Sequence, residues 1–268
     1  MPSIIEGFRK IYKAPNALRV HLLLAGLIVF MTAVNFLMYT SGSLIVKFFA
    51  AILLIIYGIY VYGYKFRFMH NVFQEEFLMP EIDAGPFKAV GNAFALLLVW
   101  GLYLAVYAIV TSILTAVIIP IAIMAKIPIA LTLAFGIVMI ALMYLVFFFT
   151  PYIFVAYSKD FNTTGLYNML LPFKFVRKSF LDNLILWLKW IPLAIVFALM
   201  LVAVWKQAGI LEGLIQSIHG TLAAKPNLQV IYTPKLMVLQ AVLAYMAFVF
   251  SFVYSNYIVQ IYKAKREQ

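Results

Sequence analysis

The chain has 268 residues, of which 66% are hydrophobic and only 11% are charged. A soluble domain carries about 25% charged residues, so this composition excludes a soluble globular protein and predicts an integral membrane protein. The net charge of +11 would suggest nucleic acid binding in a soluble protein. Beside apolar spans it indicates the positive-inside rule and attraction to anionic lipid headgroups, so we expect membrane lipids as partners and no nucleic acid. The absence of cysteine excludes disulfides, Fe–S clusters and Cys-type zinc sites.

Six apolar segments are long enough to cross a bilayer, which takes about 20 residues at about 1.5 Å rise each. The first two are separated by a tight turn at residues 40–43, and the third and fourth by the short segment 120–128. Each of these pairs is therefore predicted to be an antiparallel helical hairpin. The predicted fold is an all-α polytopic membrane helix bundle, a single membrane domain over residues 1–268. Its six predicted spans are residues 18–39, 44–63, 90–119, 129–157, 184–205 and 236–262.

The connecting segments differ in character. Residues 64–77 place Phe66, Met69, Phe73 and Phe77 at helical spacing, which predicts an interfacial helix that continues the second span. Residues 158–183 form a second, more basic connection that we expect to be broken at Pro172. Residues 206–235 form the long outside loop, predicted to contain a short helix that lies on the membrane surface or dips into it.

The distribution of Lys and Arg predicts the orientation. With the N-terminus inside, 14 of the 20 basic residues fall in inside segments and five in outside segments, while Lys189 lies within the fifth span. Because cytoplasmic loops carry the excess of Lys and Arg, we predict that both termini are cytoplasmic. The expected location is the plasma (inner) membrane, crossed several times. The inside set is Arg9, Lys10, Lys13, Arg19, Lys65, Arg67, Lys88, Lys159, Lys174, Arg177, Lys178, Lys263, Lys265 and Arg266.

Residues 86–98 and 172–184 share six identical residues in thirteen without a gap, beginning with Pro-Phe-Lys in both. One interpretation is that both segments follow one physical recipe: Pro suits the first turn of a helix, Phe anchors at the interface and Lys reaches lipid phosphates. The other is an internal duplication into three helix-hairpin units, 1–85, 86–171 and 172–268, with approximate rotational symmetry about the membrane normal.

The stretch from Gly63 to Gly91 resembles a known family. Gly63-Tyr64, then Arg67, then the loop 78–83 (Leu-Met-Pro-Glu-Ile-Asp) and the later Gly91 are similar to the prokaryotic domain-of-unknown-function family numbered 4013. In that family the second span ends in a Gly-Tyr and basic pattern and a Leu-Pro-Glu-Asp-like loop follows; here Met79 and Ile82 interrupt the loop. The resemblance covers about 30 residues, implies a prokaryotic multi-pass membrane protein of unknown function, and supplies no site residue.

Reactive side chains are scarce in the predicted spans. No Asp, Glu, Arg or His lies near the middle of any of them, which disfavours proton- and sodium-coupled transport. By the predicted topology, His21 and His70 lie inside and His219 outside, so they cannot share a metal. An acidic cluster follows the second span and could bind a divalent ion or act as an acid/base pair, but it is better explained as a solvated connector. Its members are Glu75, Glu76, Glu81 and Asp83, and the cations that it would balance are Lys65, Arg67 and Lys88. We predict no catalytic residue, no metal and no cofactor.

Two sets of residues are candidate contact sites. A hydroxyl stripe on the third span, at i, i+4, i+8 and i+12, is typical of interhelical hydrogen bonds or of a lining for a polar or amphipathic ligand. Amides on other spans could join it. Basic residues beside the repeated Pro-Phe-Lys segments are candidates for lipid headgroup contacts. The stripe and its amides are Tyr103, Tyr107, Thr111, Thr115, Asn35, Gln240 and Asn256; the headgroup candidates are Lys88, Lys174, Arg177 and Lys178.

The long aromatic-rich apolar surfaces, without a reactive constellation, favour a non-enzymatic role. The predicted function is an integral membrane subunit, scaffold or assembly factor that packs against lipids and against other membrane-protein chains, in a hetero- or homo-oligomer. A transporter or channel for a small or lipophilic solute, using the hydroxyl stripe, is the first alternative. A lipid-modifying membrane enzyme is the second.

Overall fold

The computed structural model describes residues 4–76, 78–91, 150–168, 170–207 and 234–266, with scattered positions between 99 and 136. Over the continuous ranges the chain is all-α. Its elements are α1 (Ile4–Lys13), α2 (Ala17–Thr40), α3 (Leu44–Phe73), α4 (Gly85–Gly91), α5 (Thr150–Asp160), a 3₁₀ turn (Thr164–Tyr167), α6 (Leu170–Gln207) and α7 (Pro234–Arg266).

Four of these helices, α2, α3, α6 and α7, are long and apolar enough to cross a membrane. They coincide with the predicted first, second, fifth and sixth spans. The predicted third and fourth spans, and most of the loop 206–235, lie outside the described residues. Six spans are therefore not confirmed, whereas an all-helical protein with four apolar, membrane-length helices is.

The predicted second span and the amphipathic segment after it form one 30-residue helix, α3. Ser43 caps its start by accepting a hydrogen bond from the Val46 amide, and Glu75 closes its end with φ +60°, the left-handed conformation common just after a helix. The apolar side chains at helical spacing in residues 64–77 were predicted to face the membrane interface, and this is wrong for Phe66 and Met69. Both are at most 3% exposed, and the Phe66 ring packs edge-on against Tyr157 of α5.

The predicted break at Pro172 is also wrong. Pro172 lies in the first turn of α6, which then runs without interruption for 38 residues and passes through Pro192. At a helix start the missing N–H of proline would be unsatisfied in any case, so proline begins this helix instead of ending it. Pro86 occupies the same place in α4.

One end of the bundle is closely packed and aromatic. Helices α3, α5 and α7 contact one another there, α1 packs on α7, and α4 packs on α3. Four tyrosines of the three central helices pack between them and are at most 2% exposed: Tyr64, Tyr152, Tyr157 and Tyr257. We call this region, formed by α1, α4, α5, residues 60–83, residues 170–190 and residues 245–266, the basic end. It holds all but one of the 14 basic residues assigned to the inside; Arg19 lies at the adjoining start of α2.

Away from the basic end the helices separate. Of the most apolar 18-residue stretch of α3, only 6% is buried within the protein, and the same value holds for α6. For α2 and α7 the buried share of that stretch is 28%. Side chains such as Phe48 and Phe49 on α3 and Leu199 on α6 are 60–64% exposed. The protein therefore has one end with a dense core and another at which apolar side chains point outward.

The two repeated segments occupy similar environments where both are described. Pro86 and Pro172 are buried in first turns, and the following Phe87 and Phe173 are 43% and 49% exposed. This similarity fits the shared physical recipe and the duplication equally well, so the three-unit organisation stays a prediction.

Candidate functional site

The connector between α3 and α4 is fixed to the helices around it. The Tyr64 hydroxyl donates to the Pro80 carbonyl oxygen at 2.6 Å. Asn16, just before α2, donates to the Met79 carbonyl oxygen at 2.7 Å and accepts from the Met79 amide at 3.1 Å. These bonds hold the residues that carry the family resemblance in one interlocked loop at the basic end.

Gly63 makes the closest of these approaches possible. A Cβ at this position would lie 2.0 Å from the Pro86 carbonyl oxygen and 2.8 Å from a Val90 methyl group. Only glycine, which has no side chain, allows α4 to lie this close to α3.

The acidic cluster is paired with cations from several helices. Arg67 donates to the Asp83 carboxylate, the Lys263 ammonium lies 2.6 Å from the Glu75 carboxylate, and Arg19 lies 4.0 Å from Glu81. Arg67 balances the connector as predicted, whereas Lys65 and Lys88, which were expected to share that role, form no ion pair with the cluster among the described residues.

Two carboxyl groups outside the spanning helices have shifted pKa values. Desolvation alone would raise the pKa of Asp83, but hydrogen bonds from the Gly85 amide and Arg67, together with the charge of Arg67, outweigh it and bring the pKa below its usual value. The hydrogen bond and charge of Lys263 lower the pKa of Glu75. Both groups are therefore firmly ionised near neutral pH, where they act as structural anions and not as proton donors.

Lys65 points away from this cluster. It is half-buried and lines two grooves. One, of about 330 Å³, lies between α3, α5, α6 and α7 and includes Thr150, Trp187 and Ser255. The other, of about 280 Å³, lies between α3 and α7 and includes Gly58, Ala244 and Ala247. No carboxylate contacts Lys65 in the described part of the chain.

A buried polar trio links α5 to α6. The Tyr152 hydroxyl donates to the Ser179 hydroxyl at 2.6 Å, and the Asn183 amide donates to the Tyr152 hydroxyl at 2.8 Å. Ser179 and Asn183 are at most 2% exposed. Sequence reasoning missed this trio, although the two small polar residues four positions apart in an apolar helix were a signal that could have found it.

Two of the three histidines, His21 and His70, are described, and both bind backbone or tyrosine groups; His219 lies outside the described residues. His70 Nδ1 lies 3.0 Å from the Lys159 carbonyl oxygen, at the end of α5. His21 Nε2 lies 3.2 Å from the Ile11 carbonyl oxygen, and its Nδ1 lies 2.9 Å from the Tyr245 hydroxyl. Each ring thus joins helices that are distant in sequence. Among the described residues no group of three His, Cys, Asp or Glu side chains could hold a metal.

The hydroxyl stripe falls mainly outside the described residues, because Tyr107, Thr111 and Thr115 are not among them. Tyr103 is described: it is 4% exposed, and its hydroxyl donates to the Leu166 carbonyl oxygen at 3.3 Å. This hydrogen bond joins Tyr103 to the 3₁₀ turn, and both interpretations of the stripe stay predictions.

The amides expected to join the stripe are dispersed. Asn256 is 3% exposed on α7 and faces α1, where its Nδ2 atom would lie 3.4 Å from a Cβ at Gly7. Asn35 is half-buried on α2, and Gln240 is half-buried sixteen residues before Asn256 on the same helix. At 1.5 Å per residue, Gln240 and Asn256 are about 24 Å apart along α7, so they cannot line one small site together.

The four headgroup candidates, Lys88, Lys174, Arg177 and Lys178, are all exposed at the basic end. Exposure next to apolar, membrane-length helices is what headgroup contact requires.

No family model matches the chain, and neither a curated protein nor a solved structure matches it. The resemblance of residues 63–91 to the family numbered 4013 therefore stays a prediction.

Proposed function

We propose that the protein is a non-enzymatic integral membrane subunit, scaffold or assembly factor whose exposed helix faces pack against other membrane proteins. The observation that carries this proposal is the contrast between the basic end and the rest of the bundle. The basic end has a dense aromatic core, whereas the apolar windows of α3 and α6 are only 6% buried.

Helices in a bilayer gain no hydrophobic stabilisation from leaving lipid, so their association depends on van der Waals packing and hydrogen bonds. The exposed parts of α3 and α6 obtain little of this packing from the part of the chain that the structure describes. Phe48 and Phe49 extend from α3 as adjacent exposed rings with an edge-on contact, 5.9 Å between centroids. Rigid aromatic side chains of this kind are enriched in protein interfaces, and they support a partner helix as the occupant of this face.

The exposed cations fit the same role. Lys88, Lys174, Arg177 and Lys178 would contact anionic headgroups on the inside face and fix the depth of the bundle in the membrane. The location expected from the distribution of basic residues, a plasma (inner) membrane with both termini cytoplasmic, is part of the proposal.

Site-specific photocrosslinking in native membranes tests the proposal. A photoreactive phenylalanine analogue at Phe49 or Leu199 should give discrete protein adducts, whereas the same analogue at Phe252, which is 1% exposed, should give none. Extraction in a mild detergent should then yield a mass above that of one chain. Lipid adducts alone at both exposed positions, together with a monomeric mass, would sink the proposal.

A further inference from the structure

Lys65 is a cation in the membrane-length helix α3, eight residues before its end at Phe73. Eight residues correspond to about 12 Å along the helix. A lysine near a helix end usually extends toward the aqueous interface. Side chains on a helix, however, tilt toward its N-terminus, which for Lys65 means toward Gly58 and Val61 and away from the C-terminal end of α3. The groove between α3 and α7 is lined by both of these residues and by Lys65.

The neighbouring cation shows the contrast. Arg67 is two residues further along α3, about 200° around the helix, and it is paired with Asp83. Lys65 lies on the opposite face, and no described carboxylate pairs with it. A half-buried ammonium group without a counter-ion is costly at this depth, so an anionic group at this place would be stabilised by it.

The shape and chemistry of the grooves define that anionic group. The α3–α7 groove is walled mainly by apolar and aromatic side chains, with Ser251 as a further polar residue. Small residues leave it open: Gly58, Ala244 and Ala247. A Cβ added at Gly58 would meet no atom within 4 Å. A free inorganic anion would lose its hydration against such walls without compensation. An amphiphile would fill the groove with an acyl chain and place its charge at Lys65.

We propose that Lys65 and the α3–α7 groove form a binding site for one anionic phospholipid, with the phosphate at the Lys65 ammonium and an acyl chain along Gly58, Ala244 and Ala247. The second groove, next to Ser255 and Trp187, gives the headgroup room on the other side of the lysine. This site is distinct from the exposed faces of Phe49 and Leu199 and from the four exposed headgroup candidates. It does not depend on the protein being a subunit of a complex.

Native mass spectrometry of the full-length chain in detergent tests the site. Phosphatidylglycerol, phosphatidylcholine and inorganic phosphate are each added in a titration. The wild-type chain should retain one phosphatidylglycerol at least tenfold more tightly than phosphatidylcholine, and inorganic phosphate should not compete. Lys65→Met should reduce retention of phosphatidylglycerol at least tenfold, and Lys65→Arg should restore most of it. Lys13→Met, which removes an exposed cation of α1 at the basic end, is the matched control and should retain the lipid.

A groove-filling variant keeps the proposal testable if Lys65→Met fails to fold. Gly58→Leu leaves the charge in place but occupies the groove, so it should lose the lipid. Gly26→Leu, at a second helical glycine with open space around its Cβ position, should not. Equal retention of both phospholipids, retention by Gly58→Leu, or a protein chain in place of the lipid at this groove would overturn the proposal.

Discussion

Gly63 on α3 lies directly against the backbone carbonyl group of Pro86 on α4. The contact between these two residues brings the connector, its acidic residues and α4 onto the side of α3. The close contact between Gly63 and Pro86 therefore determines where α4 packs against α3 at the basic end.

Gly63→Ala should destabilise the protein strongly, because its Cβ would lie 2.0 Å from the Pro86 oxygen and the backbone of α4 would have to move. Overpacking of this kind costs about 1–3 kcal/mol. Gly58→Ala on the same helix is the matched control. It meets open space and should be neutral or stabilising by up to about 1 kcal/mol, because alanine favours helix more than glycine. Thermal unfolding in detergent compares the two variants, and equal stability would show that the close approach is not maintained.

The stability of the basic end should fall in acid. The pKa of Asp83 is lowered in the folded chain by Gly85 and Arg67. A carboxyl group whose folded pKa lies below its unfolded value of about 3.9 stabilises the fold fully above that unfolded value. This contribution is lost as the pH falls through the folded pKa. In the Asp83→Asn variant the midpoint of unfolding should therefore depend less on pH below about pH 5 than in the wild type. A pH profile identical to that of the wild type would exclude this carboxylate as the source.

The ion pair of Glu75 with Lys263 connects the end of α3 to α7. The pKa of the Glu75 carboxyl group is also lowered. Glu75→Gln combined with Asp83→Asn should therefore reduce the dependence of stability on acid pH further than Asp83→Asn alone. The two carboxylates pair with different cations, and their effects should be additive. A measured coupling between the two substitutions would contradict that independence.

The trio of Tyr152, Ser179 and Asn183 should behave as one unit. Tyr152→Phe leaves a buried amide and hydroxyl with one partner fewer, and such losses cost about 1–3 kcal/mol. Ser179→Ala should cost a similar amount, and the double variant should cost less than the sum of both. A double-mutant cycle of unfolding midpoints measures this coupling. Simple additivity would mean that the 2.6 Å hydrogen bond between the two hydroxyls contributes nothing.

The absence of cysteine makes the predicted orientation directly testable. Gly42→Cys lies in the exposed turn between α2 and α3, and Lys174→Cys lies at the basic end. In intact cells a membrane-impermeant maleimide should label position 42 and should reach position 174 only after the membrane is opened. The reverse pattern would overturn the inside assignment of both termini.

Among the described residues, the sequence predicted the long helices well where apolar runs are uninterrupted. The predicted segments 18–39 and 236–262 match α2 and α7 to within a few residues at most boundaries. The prediction was less good where one helix changes its surroundings partway along. α3 and α6 each combine an apolar span with a basic, aromatic segment, and hydropathy divides such a helix in two although the backbone continues.

The contacts around the candidate site could not be predicted, because they depend on which helix faces which. The positions of Lys65 and Arg67 in the sequence give no indication that one is paired and the other faces a groove. That difference follows from their angular separation on α3 and from the placement of α4 and α7. The close approach at Gly63 was likewise invisible, since a glycine in a helix has many possible explanations.

Helix α7 packs against α1, α2, α3, α5 and α6, and all of them precede it in the chain. Its residues Phe252, Val253 and Tyr257 are at most 2% exposed. The centre of the basic end is therefore filled by a segment that is synthesised after all the helices against which it packs. Because synthesis proceeds from the N-terminus, the tyrosines of the earlier helices stay unpacked until α7 has been added. Quality control during biogenesis can therefore recognise an incomplete chain by its exposed aromatic end, and a premature stop before residue 248 should leave a protein that is inserted but rapidly degraded.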